Sequence, residues 1–263
     1  MKTEVLVTTM HQTDASKYTE MNLKTDAVIA NQSNICAFEE KEIDGKRVRF
    51  VTTDTRGLSI NRNIAMLYSD ADILVFADDD QVFVDGYEEI ILKEFRVHPD
   101  ADGIKFYCES TNPKRPMAYK RPPEFVRAKK KGIMSAGVPG FCIKKTFLQK
   151  NNITFNCILG SGAKIICGED SVFLSELLKH KAKIYLSPTL ISLINQGESS
   201  WFKGYTEQYF NSIGYVYSCI YGILSPLAII RRALILKRKK ECDLKLYEIL
   251  RMMMTGRKQH RSK

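Results

Sequence analysis

The segment ILVFADDD, residues 73–80, decides the fold that this sequence predicts, because five apolar residues lead directly into three aspartates. A short apolar run of this kind is typical of a buried strand, and such a strand would carry the carboxylates to one edge of a sheet. Side chains alternate along an extended segment, so Asp78 and Asp80 would point to one side and Asp79 to the other. The repulsion between neighbouring carboxylates predicts a compensating divalent cation held by Asp78 and Asp80. The alternative interpretation is a solvated acidic turn or a helix N-cap.

Short β-rich runs alternate with amphipathic stretches through the first hundred residues. Strands are predicted at residues 5–8, 27–30, 48–52 and 73–77, and helices near residues 15–24, 58–68 and 87–97. This alternation predicts an α/β fold with a mostly parallel central sheet flanked by helices. Ligands gather at the carboxyl ends of the strands in open sheets of this kind. In this sequence those ends carry polar residues, namely Thr8 and Thr9, Asn31 and Gln32, Thr53 and Asp54, and Asp78, Asp79 and Asp80.

The length and the cysteine content limit the class of protein. A chain of 263 residues can bury the core of one main domain. The seven cysteines form no CxxC pair and have no zinc-site spacing, so we expect reduced thiols, no disulfide and no structural metal. The sequence has no run of 18 apolar residues and no N-terminal signal-peptide pattern, and we therefore expect the main domain to be cytoplasmic.

The net charge of +10 is concentrated at the C-terminal end, where residues 231–263 contain 12 Lys or Arg and 3 acidic residues. The preceding residues 213–230 are apolar and aromatic, with glycine and proline as interruptions. An apolar, aromatic stretch next to a polybasic run is typical of a helix that lies at an anionic membrane surface. We therefore expect one domain at residues 1–212 and a helical amphipathic tail at residues 213–263, on the inner face of the cell membrane. The alternative is a C-terminal helix that packs on the domain with a solvated basic end.

A second acidic motif follows a basic connection. Residues 114–131 are rich in Pro, Lys and Arg and lack periodicity, so we expect an exposed or flexible connection there. Farther on, Gly168, Glu169 and Asp170 precede residues 172–180, which have the apolar spacing of a helix. A carboxylate at a helix N-terminus is stabilised by the helix dipole and the free amides. A helix cap is therefore the alternative to a functional role for either acid.

The two acidic motifs together resemble those of the inverting family 2 glycosyltransferases of the GT-A fold. In that family a metal-binding strand like residues 76–80 is followed by an acidic pair at the start of a helix, here Glu169 and Asp170. Residues 57–63, GLSINRN, resemble the family's Gly-x-Ser-x-x-Arg-Asn helix start. The resemblance covers roughly residues 4–215. The sequence also resembles a bacterial branch of single-domain enzymes that build cell-surface polysaccharides, at residues 160–170, 183–188 and 198–204.

The resemblance implies a nucleotide-sugar donor, a UDP-sugar, and a divalent ion, Mn²⁺ or Mg²⁺, that would neutralise the departing diphosphate. Asp80 would hold the ion, and Asp78 would share it and lie near the ribose. Asp79, beside the nucleotide, would support the turn without touching the metal. Asp170 would be the general base that takes the proton from the acceptor hydroxyl, and Glu169 would orient the acceptor. A single inverting displacement needs no second, nucleophilic carboxylate.

Five further residues would bind substrates if the resemblance holds. Thr8, Thr9 and Asn31 would contact the base and ribose of the nucleotide, although the family more often has an aspartate at the position of Asn31. The amide of Asn31 can donate and accept hydrogen bonds at the edge of a uracil. Arg62 would contact the base or the diphosphate, and the alternative for it is an exposed helix cation. Trp201, the only tryptophan, would stack on a sugar ring of the acceptor, and the alternative for it is core packing.

Two other functions fit parts of the sequence. A sugar nucleotidyltransferase would also place metal-binding carboxylates on an α/β sheet, but it would carry a glycine-rich basic loop where this chain has residues 8–12, TTMHQ. A nucleic-acid-binding protein would use the basic tail, but residues 231–263 contain Tyr247 as their only aromatic residue. We therefore expect transfer to a hydroxyl of a glycan or lipid-linked acceptor in cell-surface polysaccharide synthesis, and no nucleic-acid partner.

Overall fold

One mixed sheet forms the centre of the protein in the computed structural model, which describes residues 1–117, 119–197, 202, 204–239 and 241–261. Within these residues the strands are β1 (Thr3–Met10), β2 (Asp26–Gln32), β3 (Ala37–Ile43), β4 (Lys46–Thr53), β5 (Ile73–Asp78), β6 (Gln81–Phe83), β7 (Gly103–Ser110), β8 (Val126–Arg127), β9 (Phe141–Lys144) and β10 (Ile184–Ile194). The helices are α1 (Lys17–Glu20), α2 (Leu58–Tyr68), α3 (Tyr87–Val97), α4 (Lys130–Met134), α5 (Lys145–Lys150), α6 (Glu169–Lys179), α7 (Glu207–Tyr221), α8 (Ser225–Arg238) and α9 (Leu246–Arg261).

The strands lie in the order β3-β4-β2-β1-β5-β9-β7-β10-β6, with β8 beside β10. Strands β4, β2, β1 and β5 are parallel, and Thr8 of β1 pairs with both Ala30 and Asp78 on its neighbours. The predicted α/β fold is confirmed, but the sheet is less parallel than expected, because β3, β6, β8 and β9 run antiparallel to their neighbours. The parallel half brings the carboxyl ends of β1, β2 and β5 to one edge of the sheet.

The predicted strands and helices of the first hundred residues are present, with three differences, one of which is the short strand β6, which was not predicted. Strand β3 was not predicted, because nearly all of its residues are exposed and no apolar run marks it. Asp44 and Gly45 join it to β4 with positive φ angles of 51° and 73°, as a two-residue hairpin turn requires. Helix α1 is shorter than the predicted residues 15–24, because Asn22 takes a left-handed conformation with a φ of 53° just after it.

Apolar side chains alternate between the two faces of the sheet and form a core on each side. On β5, Val75 faces one core, whereas Leu74 and Phe76 face the other. Phe173 of α6 packs edge-to-face on Phe76, with 5.8 Å between the ring centroids. This contact brings the N-terminal part of α6 to the carboxyl end of β5.

Helices α7, α8 and α9 pack together in a separate apolar cluster. Helices α7 and α9 cross closely, since a Cβ on Gly214 would lie 1.8 Å from the carbonyl oxygen of Met253. Helix α7 also packs on the main domain, because Val216 fills the space beside Gly168, where a Cβ would lie 2.3 Å from the valine. The boundary that we predicted between residues 212 and 213 lies inside α7.

The expected helical C-terminal segment is present. The segment Glu207–Arg238 is long and apolar enough to cross a membrane by length and composition alone. A 3-10 turn at Gly222–Leu224 divides it, and 39% of its most apolar window is buried inside the protein. A core helix of a soluble protein can also be long and apolar, so this segment by itself is weak evidence for a membrane span.

Candidate active site

Three aspartates follow one another at the carboxyl end of β5. Two of them accept hydrogen bonds from side chains at the end of β1. The hydroxyl of Thr8 donates a hydrogen bond to Asp78 (3.1 Å), and the hydroxyl of Thr9 donates one to Asp79. The amide of Asp78 donates to the side-chain oxygen of Gln81 (2.9 Å), which fixes the turn. The two threonines, which we predicted to contact a nucleotide, therefore also hold carboxylates in place.

Asp80 receives no hydrogen bond or ion pair from any side chain of the residues that the structure describes. Burial and the charges of Asp78 and Asp79 raise the pKa of Asp80 to about 6. A carboxylate that lacks a cation, as Asp80 does, fits a hard divalent ion, which prefers oxygen ligands. No cluster of three His, Cys, Asp or Glu side chains that could hold an ion occurs within the described residues. Asp78 and Asp80 thus match the one or two carboxylates that Mg²⁺ typically takes from a protein when substrate phosphates complete its ligand shell.

One buried arginine joins the acids of β5 to the second acidic motif. Arg62 of α2 places Nη2 3.1 Å from Asp78 Oδ1 and Nη1 2.5 Å from Asp170 Oδ1. Its guanidinium also lies over the ring of Phe155, 5.2 Å from the centroid. Burial alone would lower the pKa of Arg62, but the charges of Asp170 and Asp78 raise it, so the side chain stays cationic. Arg62 is therefore not an exposed helix cation, and two ion pairs occupy the guanidinium that we predicted to contact the base or the diphosphate.

Asp170 is held through both oxygens at the start of α6. Oδ1 binds Arg62, and Oδ2 accepts a hydrogen bond from the amide of Val138 (3.0 Å). The N-cap position of α6 is occupied by Gly168, whose φ of 91° lies in the left-handed region that favours glycine. The carboxylate of Asp170 thus contacts groups across the site, and the alternative of a simple helix cap does not describe it.

Glu169 differs from its neighbour because no described residue forms an ion pair with it. Burial and then the charge of Asp170 raise the pKa of Glu169 to about 7, although the charge of Arg62 acts in the opposite direction. The two acids of this motif are therefore distinct in chemistry. Asp170 is paired with a cation, whereas Glu169 gains a proton near neutral pH.

Replacing Glu169 by Gln is expected to stabilise the protein above neutral pH. A carboxyl group whose pKa is higher in the folded chain than its ordinary value of 4.5 destabilises the fold once it is charged. This cost is absent below about pH 4.5, grows as the pH rises towards 7 and is complete above it. At pH 8 we expect the free energy of unfolding of Glu169→Gln to exceed that of the wild type by about 1–3 kcal/mol. Denaturant unfolding at pH 8 and pH 4.5 measures this, and a difference that does not change with pH would contradict the raised pKa.

Two adjoining cavities surround these acids. The smaller, of about 430 Å³, lies at the ends of β1 and β2 and is bordered by Thr8, Thr9 and the three aspartates. Asp78 and Asp80 border both cavities, which therefore adjoin at these acids. The larger cavity, of about 750 Å³, is lined by Arg62, Asp78, Asp80, Glu169, Asp170, residues 115–117, Tyr119, residues 135–137 and Pro139, among others.

Part of the basic connection covers the larger cavity. Arg115, Met117 and Tyr119 line it, and Tyr119 is buried. Arg115 donates a hydrogen bond to the carbonyl oxygen of Gly197, which follows β10. We call residues 115–117 and 119 the roof segment. The expectation of an exposed connection is therefore correct for Pro116 but not for Tyr119, which is buried, while Arg115 and Met117 are half-buried.

Asn31 is fully buried, and its hydrogen bonds are internal. Its amide donates to the carbonyl oxygen of Gln12 (2.9 Å) and to the hydroxyl of Thr52 (3.1 Å), and its Oδ1 accepts from the amide of Gln12 (3.0 Å). Asn31 thus supports the loop after β1, and its predicted contact with a nucleotide stays a prediction. Trp201 lies outside the described residues, so its predicted stacking on a sugar stays a prediction.

Sequence reasoning missed two groups that support the acids and one that lines the larger cavity. Gln81, the amide of Val138 and the roof residue Arg115 were not singled out. A signal for the turn that carries Val138 was present, since Gly137 and Gly140 flank it and take φ angles of 66° and 72°. A pair of glycines at this spacing indicates a tight turn, but not which side chain the turn will contact.

Comparison with known proteins identifies the family and the fold. Residues 25–158 match the family model described as glycosyl transferase family 2. No curated protein sequence matches the chain. The fold is similar to that of S. aureus TarS 1–349 in complex with UDP-GlcNAc, with a TM-score of 0.65 and 12% identity over 98% of this chain and 92% of the TarS chain.

Other structures of TarS give the same result. In TarS 1–349 in complex with UDP, the TM-score is 0.59 at 14% identity over 100% of this chain and 72% of the other. In a longer TarS structure the TM-score is 0.60 at 13% identity, and this chain spans only 44% of the TarS chain. At identities this low, the comparison shows a likeness of fold alone. That fold is the GT-A fold.

Proposed function

Since the chain belongs to glycosyl transferase family 2, we propose that it transfers a sugar from a UDP-sugar to a hydroxyl of a glycan or lipid-linked acceptor in cell-surface polysaccharide synthesis. Transfer takes place in one inverting displacement. The observation that carries this proposal is the guanidinium of Arg62, which binds Asp78 from the strand-end acids and Asp170 from the helix. The two acidic motifs thus meet at one side chain, that of Arg62. This arrangement supports a direct reaction between two substrates that are bound in one site.

A UDP-sugar agrees best with the structural neighbours, because two of the TarS structures hold UDP-GlcNAc or UDP. We assign the nucleotide to the smaller cavity, at the carboxyl ends of β1 and β2, where ligands of open α/β sheets bind. Thr8 and Thr9 border this cavity and support the acids beside it. The sugar then extends past Asp78 and Asp80 into the larger cavity.

Asp78 and Asp80 are the residues that would hold Mn²⁺ or Mg²⁺, while Asp79 stays on the hydroxyl of Thr9. A bound ion of this kind supplies positive charge to the departing diphosphate. Arg62 already pairs with one oxygen of Asp78, whereas no cationic side chain of the described residues pairs with Asp80. Asp80 is therefore the main protein ligand in this proposal.

Asp170 acts as the general base and takes the proton from the acceptor hydroxyl. Its ion pair with Arg62 fixes one carboxylate oxygen in the site. The amide of Val138 fixes the second oxygen and thereby the direction of the carboxylate. Glu169, on the same wall of the cavity, orients the acceptor, and Trp201 stacks on its sugar ring.

A panel of nucleotide sugars with Mn²⁺ tests the proposed function. The release of nucleotide from each donor is measured with simple glycan acceptors and without any acceptor. We expect release from at least one UDP-sugar and faster release when an accepted glycan is present. Turnover of none of the donors would reject the proposal. Formation of a UDP-sugar from UTP and a sugar phosphate would instead favour the nucleotidyltransferase alternative.

The proposal includes a position at the cytoplasmic face of an anionic membrane, where a lipid-linked acceptor is presented. Helix α8 and the turn before it support this, because they are apolar on two sides. The inner side packs against α7 and α9 through Ile229, Ala233 and Leu236. An exposed apolar stripe on a helix indicates contact with a protein or with lipid. The outer side carries large apolar residues that are exposed and spaced along one stripe, namely Ile223, Leu227, Ile230 and Leu234.

Basic residues flank this outer stripe. Arg231 and Arg238 are exposed on α8, and the ammonium of Lys130 lies over the ring of Tyr221, 5.5 Å from its centroid. Cations beside an apolar stripe complement anionic lipid headgroups. From the sequence we expected residues 213–230 to lie at the membrane surface. In the proposal only the outer side of α8 contacts the membrane, because α7 packs against α9.

Replacing both Ile223 and Leu227 by Ser is expected to weaken binding to phosphatidylglycerol vesicles at least about tenfold, since each exposed apolar side chain that enters lipid contributes on the order of 1 kcal/mol or more. Sedimentation with vesicles measures the bound fraction. Leu67→Ser is the control, because Leu67 is 79% exposed on α2, outside the stripe. Wild-type protein that ignores the vesicles, or a double variant that binds them equally well, would contradict the membrane position. Dimers formed at the stripe would appear as a concentration-dependent mass in light scattering and would also contradict it.

A further inference from the structure

Lys105 of β7 is a fully buried lysine without an acidic partner in the described part of the chain. Its exposed fraction is 0%, and β7 lies inside the sheet between β9 and β10. Lysine is almost never fully buried unless it is paired, because moving an ammonium group out of water is costly. An apolar side chain of similar length would fill the same space without this cost. Stability of the core therefore does not explain why a lysine lies here.

The ammonium of Lys105 contacts two groups on the wall of the larger cavity. Nζ donates a hydrogen bond to the carbonyl oxygen of Pro139, and it lies over the ring of Tyr119, 5.7 Å from the centroid. Pro139 belongs to the turn at residues 137–140, and Tyr119 belongs to the roof segment. Both residues line the cavity. Lys105 thus connects two walls of the cavity from behind.

The turn that Lys105 holds is also the turn that holds Asp170. Val138 directly precedes Pro139, and its amide donates to Asp170 Oδ2 (3.0 Å). The turn has left-handed conformations at Gly137 and Gly140, where glycine leaves the backbone many alternatives. A backbone with this freedom depends on its hydrogen bonds to keep one shape. The bond from Lys105 therefore helps to decide where the Val138 amide points.

We propose that Lys105 is a positioning residue for sugar transfer, which keeps the amide of Val138 on Asp170 and the roof segment over the acceptor end of the larger cavity. The inference rests on the proposed role of Asp170 as the base. The proposed role of Lys105 concerns turnover and not nucleotide binding, because neither Pro139 nor Tyr119 lines the smaller cavity. A change at Lys105 should therefore alter the reaction step and the use of the acceptor, and not the affinity for UDP.

The test compares Lys105→Met with a matched control, Lys144→Met. Nζ of Lys144 also donates to a prolyl carbonyl, that of Pro99 (2.7 Å), but this bond lies away from the cavity. For Lys105→Met we expect kcat to fall about 10–100-fold, as small displacements of a catalytic group do, and Kd for UDP with Mn²⁺ to stay within about twofold. Hydrogen exchange followed by mass spectrometry should be faster in peptides that cover residues 137–141 and unchanged in β1. Lys144→Met should match the wild type in kcat and in exchange at residues 137–141.

Variants of Tyr119 test the same contact without changing the buried charge. The Tyr119 hydroxyl is buried and has no hydrogen-bond partner among the described residues. We therefore expect Tyr119→Leu, which removes the ring over Lys105, to lose about tenfold in kcat, and Tyr119→Phe, which keeps the ring, to lose clearly less.

Several results would overturn the inference. One is unchanged exchange at residues 137–141 in Lys105→Met, whatever its activity. Others are a wild-type kcat in that variant, or losses of kcat and UDP affinity by the same factor. A wild-type enzyme that transfers no sugar would reject the proposed function itself, whereas a wild-type enzyme and a Lys105→Met variant that transfer equally fast would reject only the role of Lys105.

Discussion

Replacing Asp170 by Asn is expected to lower the rate of sugar transfer on the order of 10²–10⁴-fold, which is the usual contribution of a general base. An amide of the same shape cannot take a proton from the acceptor hydroxyl. UDP binding should be unaffected, because Asp170 borders the larger cavity and not the smaller one. Rates of UDP release and calorimetric titration of UDP measure the two quantities separately.

Asp102→Asn is a matched control for this variant. Like Asp170, Asp102 accepts a hydrogen bond from a backbone amide, that of Lys183 (2.7 Å), but it directly precedes β7 and does not line either cavity. We expect its transfer rate to equal that of the wild type. Normal transfer by Asp170→Asn would reject the assignment of the base, and a loss found in Glu169→Gln alone would move the assignment to the neighbouring residue.

Replacing Asp80 by Ala is expected to abolish the gain in UDP affinity that Mn²⁺ provides. Asp80 is a carboxylate without a cationic side chain among the described residues, and burial together with Asp78 and Asp79 raises its pKa to about 6. A divalent ion would relieve this repulsion, so removing the carboxylate removes the main reason for the ion to bind. We expect UDP binding in the presence of Mn²⁺ to weaken at least about tenfold, which is the whole gain that the ion is expected to provide.

Asp79→Asn serves as the control for Asp80→Ala. Asp79 is bound by the hydroxyl of Thr9, and an asparagine oxygen can still accept that bond. The effect of Mn²⁺ on UDP binding should therefore persist in Asp79→Asn. If this variant lost the metal effect as completely as Asp80→Ala does, the side chains of the acidic triplet would not be divided between metal and turn in the way proposed.

The local features of the fold could be predicted from the sequence because they depend on neighbouring residues. Helix α2 begins and ends at the predicted residues, and β5 delivers the three aspartates where expected. The apolar periodicity of a helix and the apolar run of a buried strand carry this information directly. Strand β3 was missed because its side chains face solvent and leave no apolar pattern.

The contacts that complete the site could not be predicted, since they join residues far apart in the chain. Arg62 and Asp170 are 108 positions apart, and no local pattern indicates that their side chains form an ion pair. Asn31 shows the reverse case, because its place at a strand end suggested a ligand contact, whereas Gln12 and Thr52 use its amide. The packing of the roof segment on the cavity likewise depends on tertiary contacts, for which a segment without periodicity gives no signal.

The most direct test of the account is a calorimetric titration of UDP into the wild-type protein with and without Mn²⁺. We expect Mn²⁺ to lower the Kd for UDP at least about tenfold, equivalent to about 1.4 kcal/mol, because Asp80 would hold the ion and the ion would supply positive charge to the diphosphate. UMP, which lacks the second phosphate, should show a much smaller effect. Equal binding of UDP with and without the ion, or equal binding of every nucleoside diphosphate regardless of the ion, would contradict the account.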